Sequence, residues 1–356
     1  MSAATAMGPT SGATPAAGLV RLRPHRARAA VVTGALALVL LVLVLLGLAL
    51  GDYPLRPSQV VQALVGGAGA DDFAVTVVRE WRLPRVLAAV VLGAGLAAAG
   101  ALFQSVTRNP LGSPDIVGFT TGAYTGVLVA MTVLPGTTGG FAGTAAAALV
   151  GGLLTAVVVF LLSYQHGIQG FRLIVVGIAV SAMLQAANTF LLMRTQTEVA
   201  MTAAAWGAGS LDLVGWEQAA PATVLIAVLG VGVVATAPLL RQLELGDDVA
   251  AGHGVAVEPA RLTILGIGVA LTAVATATAG PIAFVALSAP QIAKRLVNGP
   301  GLPLVASALV GAVLLCGADL VAQHLLPTAL PVGVVTIVLG GVYLLALLVA
   351  GARRRG

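Results

Sequence analysis

Uncharged apolar stretches recur along almost the whole of this 356-residue chain. A helix crosses the bilayer hydrocarbon with about 20 such residues, because every backbone N–H and C=O must find its partner internally where water is absent. Charged residues make up 9% of the chain and hydrophobic ones 58%, with a mean hydropathy of +1.03. A soluble domain carries about 25% charged residues, so that class is excluded. An outer-membrane barrel would need short alternating segments and aromatic girdles, whereas aromatic residues are 4% here. The 45 glycines and 18 prolines suit a tightly packed bundle with broken or kinked helices. The expected fold class is an all-α polytopic membrane protein.

Ten spans are expected, at 29–50, 84–106, 114–134, 142–163, 172–193, 219–240, 260–279, 282–297, 302–325 and 332–350, with both termini cytoplasmic. Of the 18 basic residues this leaves only Arg56, Arg79, Arg82, Arg85 and Arg194 outside, the bias that topology requires. Residues 1–28 read as a disordered, basic cytoplasmic segment, 29–350 as a single transmembrane domain, 241–259 as a cytoplasmic loop within it, and 351–356 as a basic cytoplasmic tail. The basic segment before the first apolar run resembles a signal peptide, but the run is too long and lacks a cleavage site.

The scarce residues exclude chemistry. The one lysine, Lys294, follows no glycine-rich loop, so the chain cannot cradle a nucleotide phosphate itself. The one cysteine, Cys316, excludes an intrachain disulfide, an iron–sulfur cluster or a cysteine-rich zinc site. His25, His166, His253 and His324 lie too far apart in sequence for any ligand spacing. No paired carboxylates or nucleophile–base arrangement is visible, no metal or cofactor site is expected, and no nucleic-acid partner either. The chain does not read as an enzyme.

Four segments depart from plain apolar helix. Arg79-Glu80-Trp81-Arg82-Leu83-Pro84-Arg85 lies at the outer end of the second span, with Pro84 suited to a first helical turn. Its arginines suit either snorkelling to membrane lipid or docking an acidic external partner, and spacing alone leaves the two even. Arg108-Asn109-Pro110-Leu111-Gly112-Ser113-Pro114-Asp115 reads as a tight turn in which Asn109 and Asp115 can cap helix ends. In the cytoplasmic loop, Asp247 or Asp248 can cap a short helix, with Gly246, Gly252 and Gly254 turning the chain. Such a helix is a plausible contact for a motor subunit. Gly280-Pro281 makes a sharp outer turn, and Pro290 interrupts the descending helix. Gly118, Gly122 and Gly126 share a helix face suited to close packing. Asp319 is the one acid inside a span; near Gln323 and His324, a hydrogen-bonded structural role is at least as expected as a functional one.

Taken in order, these segments resemble the FecCD family of ABC importer permeases for iron–siderophore complexes and vitamin B12. The similarity runs from about Arg79 to Ala350. It is carried by Trp81–Arg85, Gln104–Pro114, Gly118–Gly122, Leu245–Asp247, Gly280–Phe284 and Leu330–Thr336. Glu80–Val86, Arg108–Gly118, Phe171–Gly177, Ala208–Leu211 and Glu244–Asp248 further resemble the FepG-type subgroup of ferric-enterobactin permeases.

The resemblance implies a type II ABC importer permease in the cell membrane. Arg82 and Arg85 would dock the extracytoplasmic siderophore-binding protein, and Gly246–Val255 would be the coupling loop seated on the ABC ATPase. A docking arginine of the vitamin B12 permease falls where this chain has Gln323, and many members have histidine where it has Gln291; neither role carries over. The implied partners are two ATPase subunits, which hold ATP and Mg, a second non-identical permease and the binding protein. The implied cargo is a ferric catecholate siderophore. Vitamin B12 or haem import is the near alternative, and a stand-alone secondary transporter the more distant one.

Overall fold

The computed structural model describes residues 23–66, 71–134, 140–165, 167, 169–326 and 328–353. The helices are α1 (Arg23–Ala49), α2 (Pro57–Val65), α3 (Asp72–Thr76), α4 (Leu83–Thr107), α5 (Phe119–Val133), α6 (Gly140–Ser163) and α7 (Gly170–Arg194). There follow α8 (Thr197–Gly207), α9 (Trp216–Leu245), α10 (Asp247–Gly252), α11 (Val257–Ala279), α12 (Val285–Val297), α13 (Leu304–His324) and α14 (Val332–Arg353). A π-helical turn, Val77–Arg82, joins α3 to α4, and no strand occurs among the described residues.

Helices occupy each of the ten expected segments. Seven helical stretches among the described residues are long and apolar enough to cross a membrane, and Phe119–Val133 and Val332–Tyr343 are shorter apolar helices. Helix α4 is the hub. It packs against α9, α11, α12 and α13, and from Leu92 to Thr107 nearly every side chain is buried. Its Ala- and Gly-rich sequence permits this, since small residues let helix backbones approach on all sides where lipid offers no hydrophobic drive for association. The outward faces are apolar instead: Val224, Val228, Val231 and Val234 form an exposed stripe at helical spacing along α9.

The glycine face of α5 packs as expected: a Cβ at Gly126 would collide with the Ala147 carbonyl and the Gly151 backbone of α6. Gly118 is not on that helix but precedes it, with φ 94°.

Several boundaries differ from expectation. The first helix begins at Arg23, inside the segment read as disordered, and Pro24 fits its first turn; Arg28 Nε donates to the Leu296 carbonyl at 2.9 Å. Residues 1–22 and 354–356 lie outside the described residues, as does His166. The second span does not start at Pro84, because one helical run extends from Asp72 to Thr107. The π turn admits the proline: the Leu83 N–H reaches back to the Val78 carbonyl, and Pro84 has no N–H to place. Helix α9 continues to Leu245, so residues 241–245 are helix rather than loop. Pro290 lies within a continuous α12 rather than interrupting it. Helices α2, α3 and α8 were not expected; each is too short to register as a span.

Candidate functional site

The unusual polar residues gather at the two ends of α4. At its N-terminal end, the three arginines of the Arg79–Arg85 segment do three different jobs. Arg79 donates to the Ala63 and Leu64 carbonyls, both at 2.8 Å, closing the C-terminus of α2. Arg82 donates to the Leu48 (2.9 Å), Ala49 (3.2 Å) and Tyr53 (2.7 Å) carbonyls, closing α1. A cation there meets the carbonyls a helix end leaves unpaired and the negative end of its dipole. Arg85 grips Asp319 of α13 through two bonds, Nε to Oδ2 at 3.1 Å and Nη2 to Oδ1 at 2.8 Å. Its Nη2 also lies 2.7 Å from Asp212.

Asp319 is therefore a partner, not an isolated intramembrane acid; Gln323 completes its set by donating at 2.6 Å. The segment carrying Asp212 is fixed at both sides, by Ser210 N–H to the Ala279 carbonyl (2.8 Å) and Gly333 N–H to the Gly209 carbonyl (3.0 Å). A cavity of about 500 Å³ opens beside these groups, lined by Tyr53, Phe73, Trp81, Arg82, Asp212 and Gln323 among others. Trp81 is 59% exposed, edge-on to Phe73.

At its C-terminal end, α4 stops at Arg108, which takes a left-handed conformation (φ 49°). Its guanidinium donates to the Leu243 carbonyl (2.9 Å) and to Asp247 Oδ1 (2.6 Å). Arg261 of α11 holds both oxygens of Asp247 at 2.8 Å. Ser105 donates to Glu244 at 2.8 Å. Gly246, at φ 123° and ψ 154°, makes the break between α9 and α10 that a side chain would obstruct.

Neither Asp247 nor Asp248 caps α10. Gly246 is the N-cap, and the aspartates form the first turn, where their charge suits the helix dipole. Asp248, Val249, Ala251, Gly252 and His253 are exposed, while Ala250 is buried beneath them. Asn109 and Asp115 cap no helix either: Asn109 Oδ1 accepts from the Leu111 N–H at 2.9 Å within the turn, and α5 has no side-chain cap. Gly280 (φ 72°) ends α11, and Pro281 lies in the irregular stretch before α12. Gln291 donates to Gln104 (2.7 Å), which in turn donates to the Leu287 carbonyl (2.9 Å), tying α12 to α4.

The family model described as the FecCD transport family matches residues 39–350. The chain belongs to the FecCD transport family. It is 49% identical over 310 residues to the ferric enterobactin transport system permease protein FepG of Escherichia coli (strain K12), covering 87% of this chain and 92% of that one. It is 37% identical over 318 residues to the achromobactin transport system permease protein CbrC of Dickeya dadantii (strain 3937), covering 88% and 90%. Among solved structures, one described as an inward-facing conformation of a metal-chelate type ABC transporter superposes with a TM-score of 0.78 at 27% identity, covering 90% of this chain and 99% of that one.

As a FecCD-family protein the chain is a multi-pass permease of the cytoplasmic membrane and a transporter subunit, not an enzyme. Membership brings ATPase and binding-protein partners in general terms. Within that frame the structure adds residues that the sequence did not single out: Asp212 at the N-terminal end of α4 and Arg261 at its C-terminal end. The signal was the scarcity of charge, for the chain has 13 acids and 18 basic residues, and a charge near the bilayer is costly unless paired. No spacing rule could say which charges pair.

Proposed function

We propose that this chain is the permease subunit of an ATP-driven importer that passes a ferric catecholate siderophore of the enterobactin type into the cytoplasm. The observation that carries this reading is the 49% identity to the ferric enterobactin permease over nearly the whole of both chains. A second, non-identical permease would complete the pathway. ATP and Mg would be held by the ATPase subunits, since this chain has no phosphate-cradling loop.

The exposed face of α10 and its flanking glycines, Gly246, Gly252 and Gly254, suit the contact with the ATPase. At the outer face, Arg82 and Arg85 stand beside exposed Trp81 as the basic groups an acidic docking surface would meet, with Asp212 and Asp319 balancing Arg85. Both guanidiniums are already bound within the chain, so docking would work by a partner carboxylate exchanging with the exposed Asp212 rather than through free side chains. ATP binding would close the ATPases, displace α10 and tilt the packed helices as rigid bodies, alternating access between the two sides.

The test is uptake of radiolabelled iron presented as a ferric catecholate, in cells with and without this chain. Uptake should vanish on deletion and return with the intact gene, but not with a gene carrying bulky residues at Gly246–Asp248. Return with the loop variant would reduce the loop to a linker. Uptake unaffected by deletion would remove the catecholate assignment and turn the assay to vitamin B12, haem and hydroxamate complexes.

A further inference from the structure

Four helix ends converge on one carboxylate at the inner face. Asp247, in the first turn of α10, receives Arg108 from the end of α4 and Arg261 from the first turns of α11. Arg108 also binds Leu243 near the end of α9, and Ser105 of α4 binds Glu244 beside it. Arg261 is only 11% exposed, whereas Asp247 is 41% and Arg108 47% exposed, so Arg261 is the sheltered arm of the clamp and Arg108 the one that salt reaches.

The covalent connections of α10 are soft by comparison. Gly246 on one side (φ 123°) and Gly254 on the other (φ 82°) are backbone joints without side chains to pack. Buried Ala250 seats the underside of α10 on the core, but these joints leave its first turn free to swing unless a side chain holds it. Through Asp247 a push on α10 goes to two guanidiniums, each fixed to a long helix.

We infer that the Arg108–Asp247–Arg261 clamp is the mechanical link through which displacement of α10 moves α4, and that Arg108 and Arg261 are positioning residues for coupling. This rests on the reading of α10 as the ATPase contact. Helix α4 is suited to carry the movement onward. It is buried against α9, α11, α12 and α13, so it moves only together with them. Its other end holds Arg85, which is paired with Asp319 of α13 and Asp212 of the segment before α9. The two knots stand about 34 Å apart along the helix at 1.5 Å per residue. One rigid rod thus joins the ATPase side to the binding-protein side, with an ionic joint at each end.

The experiment uses the complete transporter, with partner permease, ATPase and binding protein, in proteoliposomes. ATP hydrolysis and uptake of radiolabelled ferric catecholate are measured together. Arg108→Asn removes the guanidinium while suiting the left-handed backbone, so α4 still ends where it should. The ATP hydrolysed per iron imported should rise about fivefold or more, the scale of losing a charge-assisted contact, with hydrolysis itself continuing. Arg108→Lys should recover part of the coupling by keeping a charge beside Asp247. Arg261→Gln should raise the same ratio, and is the variant to read if Arg108→Asn does not assemble.

An unchanged ratio in these variants, in a wild-type system that imports iron on ATP, overturns the clamp alone. A wild-type system whose uptake ignores ATP overturns the functional reading, and the clamp with it.

Discussion

Deleting the Asp319 carboxylate should destabilise the protein far more than deleting both members of its ion pair. The Asp319 side chain is 6% exposed and that of Arg85 18%. In Asp319→Ala the guanidinium keeps only Asp212, itself 46% exposed, and the Gln323 amide loses its acceptor. Breaking a buried pair by removing one partner costs about 3–5 kcal/mol. Partial exposure and the remaining acid reduce this to about 2–3 kcal/mol here. Arg85→Met combined with Asp319→Leu removes both charges and keeps similar volume, so stability should return to within about 1 kcal/mol of the starting protein. Cys316 provides the assay, being the only cysteine, buried, and one turn before Asp319 on α13. A thiol-reactive dye should report its release during a thermal ramp. Asp319→Ala should lower the midpoint by on the order of 5 °C, and the double variant should not. An unchanged midpoint in Asp319→Ala, or a double variant as unstable as the single one, would refute the reasoning. The same geometry bears on charge reversal at Arg85. Arg85→Glu would set a third carboxylate beside Asp212 and Asp319, so lost transport in that variant would report folding rather than docking.

Two further outcomes are expected. Asp212→Asn relieves Arg85 of its solvent-exposed partner, and the binding protein should then associate about two- to fivefold more tightly, the scale of one exposed ion pair; weaker or unchanged association, measured by surface-immobilised binding kinetics, would count against docking near Arg85. Gly126→Val forces a side chain into the backbone of α6, costing about 1–3 kcal/mol; the dye-reported midpoint should fall, while Gly230→Val, where a Cβ meets no neighbour, should leave it unchanged.

The helices were legible because bilayer thickness writes itself into the length of each apolar run: 142–163, 172–193 and 260–279 match α6, α7 and α11 to within three residues. Exceptions fell where other physics takes over. Helix α9 outruns its expected span because nothing before Gly246 stops it, and the Val77–Arg82 stretch is a π turn because a continuous helix must accommodate the proline that follows it. The order of the short motifs likewise carried the family, and the short helix α10 was visible in the glycines and aspartates around it.

What the sequence alone determined is therefore the class of protein, the place of its helices and the family to which it belongs. Only the tertiary structure decided what its few charges do. Arg85 and Asp319 stand 234 positions apart, and Arg108 and Asp247 139 apart. Arg79 and Arg82, which the spacing left open between membrane lipid and an acidic partner, bind the carbonyls at the ends of α2 and α1. Hydrophobic length is a local property of the chain and can be read along it. Pairing of buried charge depends on which helix ends the fold brings together, and packing sets that.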